Sequence, residues 1–168
     1  YVGAPTGLLD QAASTLCRAD AGLFLDCRTL ETEMVPLPMA EQGFEMLVLD
    51  TKTPHSHVDG EYGTRRTSCE EAARILGVPA LRDVTDLDAA LARLDDEEMR
   101  RRVRHVVTEN ARVLEALEIA RAGRLADLAP LLDASHASMR DDYEITVPTV
   151  DLAVEEARRA GAIGARMT

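Results

Sequence analysis

An α+β chain is predicted, with antiparallel strands early and helices late, on three observations. Three short apolar runs lie between residues 22 and 50, separated by gaps too short for the crossover that parallel strands need. From residue 59 onward, apolar residues recur at three- and four-residue spacing instead. The 168 residues are 46% apolar and 29% charged, enough apolar surface for one full core or one and a half small ones, and enough to offset ordering entropy.

Residues 4–17 read as a helix, with Pro5 in its first turn and Leu8, Leu9, Ala12, Ala13 and Leu16 as its apolar stripe. Residues 22–28 read as a strand. Residues 33–38 carry Pro36 and Pro38 and suit an edge strand at best. Residues 44–50, Phe-Glu-Met-Leu-Val-Leu-Asp, read as a more buried strand. A helix over 60–76 runs to Gly77 as its C′ residue, and one over 85–94 starts at Thr85 or Asp86 as N-cap. Residues 96–122 form the clearest helix: Met99, Val103, Val106, Val107, Val113, Leu114 and Leu117 share a face, and Gly123 ends it. Residues 125–140 are helical in pattern, and Pro130 must sit in the first turn or kink the helix. A last helix covers 148–160 with Gly161 as its stop, and Ala162 to Met167 are a candidate strand. The chain starts at Tyr1 without a Met and stops directly after an apolar turn, so it is expected to be a piece of something larger.

Thirty acidic against 19 Lys and Arg residues give a net charge of −11, a poor surface for nucleic acid or an anionic membrane. No apolar run approaches the roughly 20 residues of a bilayer span. Cys17, Cys27 and Cys69 are odd in number and irregular in spacing, with no disulfide framework or zinc pattern. They read as small half-buried hydrophobes, and a reducing cytoplasm is the expected compartment. The run Arg100-Arg101-Arg102 with Arg104 and His105 stands beside Asp95, Asp96, Glu97 and Glu98, which reads as a solvated helix face.

Three stretches carry candidate chemistry. In Gly7-Leu8-Leu9-Asp10-Gln11, Asp10 lies about one turn into a helix, where free amides and the helix dipole favour an ionised carboxylate. Such a group can orient a hydroxyl and accept its proton, and Gly7 would let the backbone approach a ligand. Acidic residues and glycines are also common at helix starts for structural reasons alone. The stretch His55-Ser56-His57-Val58-Asp59-Gly60-Glu61-Tyr62 joins a strand to a helix, a usual place for binding groups. Its histidines are metal-ligand candidates or plain surface residues, and Tyr62 is a ligand-facing hydroxyl or a packing residue. Ser135 to Tyr143 contains Ser, His and Asp, but no G-x-S-x-G elbow, and reads as a helix end with charged turn residues.

Together these blocks resemble galactokinases, members of the GHMP kinase superfamily. Gly7-Leu8-Leu9-Asp10-Gln11 with Ser14 resembles a G-x-M-D-Q-x-x-S segment. Leu25-Asp26-Cys27-Arg28, Val35-Pro36-Leu37, His55 with Tyr62, Arg65-Arg66 and Cys69-Glu70-Glu71 follow in order. So do Leu81-Arg82-Asp83-Val84-Thr85, Arg104 to Asn110, and Ser135 to Glu144, while Gly164 to Thr168 looks like the lead into a Gly-rich loop. The resemblance covers essentially the whole chain, as the C-terminal half of that family. It implies one truncated segment over 1–168, with 1–50 ending an N-terminal, Asp-bearing region and 51–168 a GHMP-kinase C-terminal-like domain.

The resemblance implies transfer of the ATP γ-phosphoryl group to the anomeric hydroxyl of D-galactose, with ATP and Mg2+ required. Asp10 matches the catalytic Asp, Gly7 a glycine whose backbone contacts the sugar, and Tyr62 a tyrosine that hydrogen-bonds it. Many members carry an Arg just before the position of His55. Here Pro54 stands there, leaving Lys52 and His55 as candidates for electrostatic support. No metal ligand is assigned in this segment. The N-terminal signature G-R-x-N-L-I-G-E-H-x-D-Y and the phosphate loop P-x-x-x-G-L-S-S-S-A are not in the sequence, so the chain alone is expected to be inactive without the other half. Two other roles fit the same segment: a galactose- and ATP-sensing regulator that does not turn over, and a helical interaction module using residues 96–160. The latter would show a large exposed apolar patch on those helices.

Overall fold

The structure is a computed structural model that describes residues 7–53 and 58–168, and the side chains of all of these except 58–62. Its elements are helix α1 (Leu9–Leu16), strands β1 (Ala21–Leu25) and β2 (Thr32–Pro36), and helices α2 (Val58–Leu76), α3 (Leu87–Leu91), α4 (Glu97–Arg121), α5 (Ala129–Asp141) and α6 (Pro148–Arg159), with short 3-10 turns at Ala40–Gln42, Leu81–Asp83 and Leu125–Leu128. This is the α+β order read from the sequence. The chain forms two compact units, one of residues 1–48 and 115–128, the other of 49–114 and 129–168, so α4 contributes to both.

In the first unit β1 and β2 pair antiparallel, with Gly22 opposite Val35 and Phe24 opposite Glu33. Residues two apart share a face of a strand. Phe24 and Val35 accordingly pack on Leu117 and Ala120 in the last turns of α4, joined by Leu37. Gly22 leaves room for Leu37, whose Cδ1 lies 2.8 Å from where a Cβ would stand. At the margin of this face Arg121 reaches both carboxylate oxygens of Glu33. Beyond Arg121 the chain turns through Gly123 at φ 68°, and the Arg124 amide donates back to the Ile119 carbonyl at 3.1 Å. That is the left-handed helix ending for which glycine is the natural residue.

The second unit has its own core. Ala72, Ala73 and Leu76 of α2 pack with Leu81, Ala90 of α3, Leu94 and Val103 of α4. Small residues on α2 let its backbone approach closely, and Val103 is fully buried. Asp86 caps α3 by accepting from the Ala89 amide at 3.0 Å, and Asp96 caps α4 by accepting from Met99 at 2.8 Å. Pro130 falls in the first turn of α5, where its missing N–H has no helical partner to lose.

Two expected strands are not formed. Residues 44–50 pair with nothing, and Met46, Leu47, Val48 and Leu49 are 63–84% exposed. The run was readable as a buried strand, but a strand needs a ladder, and the described sheet holds β1 and β2 alone. Residues 162–167 are likewise not a strand; side chains of neighbouring helices take the place of a partner strand there. Cys17 and Cys27 are exposed, so of the three cysteines Cys69 alone matches the half-buried reading.

Candidate functional site

Asp10 is the second residue of α1 and is exposed. The helix opens at Leu8 with no side-chain cap, so the amides of its first turn have no acceptor within the helix. Among the described residues no hydrogen bond or ion pair engages the Asp10 carboxylate. Gly7, just before the helix, is exposed, and a Cβ added to it would meet open space. Neither crowding nor a positive φ among the described contacts calls for a glycine there.

Lys52 stands in the second unit at φ 54°, a left-handed conformation that costs a non-glycine residue. Asp50 holds it: the Lys52 amide donates to Asp50 Oδ1 at 2.8 Å, and the ammonium lies 3.0 Å from Asp50 Oδ2. These bonds to Lys52 hold the Asp50 carboxyl below its ordinary range. The pair is an exposed one, with the two side chains 84% and 69% exposed, so it holds the lysine only weakly. Tyr62 belongs to the first turns of α2, and its side chain lies outside the described residues, as does His55.

A polar cluster that sequence reading did not foresee sits in the second unit, around the turn from α5 to α6. Within the arginine run on α4, expected as a solvated face, Arg102 turns inward and is 4% exposed, while Arg100, Arg101 and Arg104 stay half-exposed. Its guanidinium donates to the Asp142 carbonyl at 2.6 Å, pairs with Glu144 at 2.9 Å, and lies 5.8 Å from the Tyr143 ring centre. Arg65 of α2 donates to the carbonyls of Tyr143 and Glu144 at 3.0 and 2.5 Å. Arg104 pairs with Asp142 at 3.0 Å. Arg101 and Arg102 hold the Glu144 carboxyl below its ordinary range, outweighing partial burial. Glu144 itself adopts φ 55°, which turns its carbonyl to Arg65 and its carboxylate to α4.

Beneath this turn, His105, Ser138 and Asp142 come together. Ser138 Oγ lies 3.0 Å from His105 Nδ1 and donates to Asp142 Oδ2 at 3.0 Å. The serine proton goes to the carboxylate, the stronger acceptor, so the imidazole is left to donate to the hydroxyl oxygen. In that arrangement the histidine does not take the serine proton, which speaks against nucleophile activation of the triad kind. Burial pushes the His105 pKa down, and the ring stacks on Tyr143 with centroids 4.3 Å apart. The cluster is a clasp between α2, α4 and α5. Its signal in the sequence was four basic residues within five positions of a helix that also carried the apolar stripe.

Among the described residues no group of three His, Cys, Asp or Glu side chains could hold a metal ion, and no helix is long and apolar enough to cross a membrane. The apolar residues exposed on α4 and α6 are scattered, Val113, Leu114 and Leu152, whereas the contiguous exposed run is Met46 to Leu49. An interaction face on residues 96–160 gains no support from that distribution.

No protein-family profile matches the chain. Along its whole length it is 52% identical to the galactokinase of Streptomyces coelicolor, 50% to that of Streptomyces lividans and 46% to that of Haemophilus influenzae. It spans 43–44% of the length of these relatives. A crystal structure of Lactococcus lactis galactokinase complexed with galactose superposes on 99% of the chain with a TM-score of 0.85 at 34% identity, and the match takes up 44% of that enzyme. The chain is thus a galactokinase homologue from end to end, corresponding to a segment of those enzymes.

Proposed function

We propose that this chain carries the Asp-bearing part of a galactokinase, which transfers the γ-phosphoryl group of ATP to the anomeric hydroxyl of D-galactose. The observation that carries the reading is Asp10: an exposed carboxylate without a described partner, at the start of a helix, inside a chain homologous to galactokinases throughout. In this reading Asp10 orients the sugar hydroxyl and accepts its proton as that oxygen bonds to the γ-phosphorus. The bond from the γ-phosphorus to the bridging oxygen breaks, and ADP leaves. Gly7 lets the backbone meet the sugar, and Tyr62 supplies a hydrogen bond. Lys52 and His55 add positive charge, Lys52 doing so beside its partner Asp50.

The reading also takes residues 1–50 as the end of one region and 51–168 as a second domain. ATP is the co-substrate and Mg2+ its expected companion. The described residues offer no cluster to hold the metal. The phosphate cradle belongs to the remainder of a family-length enzyme, the chief partner of this segment, and the reaction belongs in the cytoplasm, where ATP is at hand.

The test is galactose-dependent release of ADP. The 168-residue chain alone is expected to release none. The same segment within a family-length polypeptide is expected to turn over, and Asp10→Asn to slow it by roughly 10²–10⁴. Turnover by Asp10→Asn at the unmodified rate would remove Asp10 from the chemistry. Binding of galactose and ATP without turnover by the intact enzyme would leave a sensor in its place.

A further inference from the structure

Residues 164–167 lie along α5, with no partner strand among the described residues, and side-chain acceptors hold them there. The Ala165 amide donates to Asp133 Oδ1 and the Met167 amide to His136 Nδ1, each at 3.2 Å. In an extended segment the amides of residues two apart point the same way, and Asp133 and His136 are one turn apart on one helix face. The two periods therefore meet at these two bonds. Around them, Arg158 of α6 pairs with Asp133 at 3.0 Å and also donates to the Ala162 carbonyl. Arg166 lies 3.6 Å from Glu109, which Ser135 Oγ holds at 2.5 Å. Gly164 is pressed on α5: a Cβ there would stand 3.0 Å from Ala129 Cα and 3.1 Å from its carbonyl oxygen.

His136 is 4% exposed. Because Nδ1 accepts from Met167, the proton of the neutral ring sits on Nε2, which faces Asp151 Oδ1 of α6 at 3.3 Å. A second proton has only Nδ1 to go to. There it would replace a lone pair with an N–H and set it against the Met167 N–H. We propose that neutral His136 is a protonation-controlled latch, whose Nδ1 lone pair holds the Met167 end of this segment on α5 and whose protonation lets that end go.

The charged groups around the ring are Asp133, Arg140 and Asp141 from α5, Asp151, Glu155, Arg158 and Arg159 from α6, and Arg166 from the segment itself. Burial, aided by Arg140 and Arg166, outweighs Asp151 and keeps the ring below its ordinary pKa. The latch is therefore closed at neutral pH and opens on acidification below about 6.5. It does not depend on the phosphoryl-transfer reading.

Amide hydrogen exchange of the 15N-labelled chain between pH 7.5 and 5, corrected for the intrinsic pH dependence of exchange, tests it. Protection at Met167 is expected to fall about fivefold on acidification, the worth of one net hydrogen bond, while Ala165, held by Asp133, keeps more of its own. His136→Asn offers an acceptor that does not titrate, so Met167 is expected to stay protected across the range. Gly164→Ala is expected to lower protection at both amides at every pH. A pH-independent Met167 in the unmodified chain, or a pH response that persists in His136→Asn, would overturn the latch. So would imidazole 15N shifts at pH 7.5 that place the neutral proton on Nδ1, a readout that needs no variant to fold.

Discussion

Replacing Arg102 with Met separates the buried guanidinium from the stem that packs beside it. Met and Arg have similar helix propensity, so α4 itself is little affected. The substitution strips the part-buried Asp142 carbonyl of its 2.6 Å donor, which costs about 1 kcal/mol, the low end for an acceptor left unpaired. The ion pairs add less. Glu98 and Glu144 are 48% and 47% exposed, stay hydrated after the loss, and are worth about 0–1 kcal/mol each. Loss of the contact with the Tyr143 ring removes about 0.5–1 kcal/mol. Against this, Arg102 Nε is buried without a partner, and its removal recovers about 1 kcal/mol. The net expectation is a loss of about 1–3 kcal/mol, or about 2–10 °C in Tm for a chain of this size. Urea unfolding followed by circular dichroism measures it, with an unchanged m-value showing that the unfolded state is not at issue. Arg102→Lys, which keeps a charge but not the planar fork, should recover only part. A Met variant within about 0.5 kcal/mol of the unmodified chain, or a Lys variant equal to it, would refute the idea that this donor is what fixes the turn.

Acidification should destabilise the second unit. The folded pKa values of His105 and His136 lie below their ordinary value, so on lowering the pH the unfolded chain takes up protons first. Stability is complete above about pH 6.5 and falls from there down to the folded-state pKa values. The urea midpoint is expected to drop over that interval, and less steeply in His105→Phe, which keeps a ring against Tyr143; an equal slope would remove His105 as a contributor. Leu47→Lys should leave the unfolding midpoint within about 0.5 kcal/mol, because that side chain is 84% exposed. The same change should reduce dye binding and concentration-dependent association, and a large loss of stability would show the run to be packed.

Helices were the legible part of the fold because their evidence is local. The stripe from Met99 to Leu117, the Asp96 cap and Gly123 lie within one stretch of chain, and α4 runs Glu97–Arg121, one residue short of the expected span at either end. Pro130 offered two outcomes, and the chain starts α5 one residue before it. Strands failed where their evidence is not local. Phe44 to Asp50 has the right side chains, yet pairing is decided by what runs alongside, and nothing in those seven residues says whether a neighbour exists.

The same division separates the two kinds of site residue. The place of Asp10 in the first turn of a helix was legible because it is local to that helix, whereas its role in chemistry rests on the family resemblance and stays a proposal. The clasp was not, because Arg65, Arg102, Asp142 and Glu144 have meaning only as a set. A charge run beside acidic neighbours reads as solvated, and nothing local marks Arg102 as the residue that turns inward. In the folded chain it precedes Val103, a fully buried position, on a helix that packs on more than one face. A basic residue next to a core residue on such a helix must either snorkel outward or find acceptors inside. The carbonyl-rich end of α5 supplies those acceptors, and there the helix dipole itself favours a cation. Hence the Arg-Asp-Asp-Tyr-Glu block, which suggested chemistry by its residue types, serves to seat the arginines of α2 and α4. Asp10 remains the carboxylate on which the proposed chemistry turns.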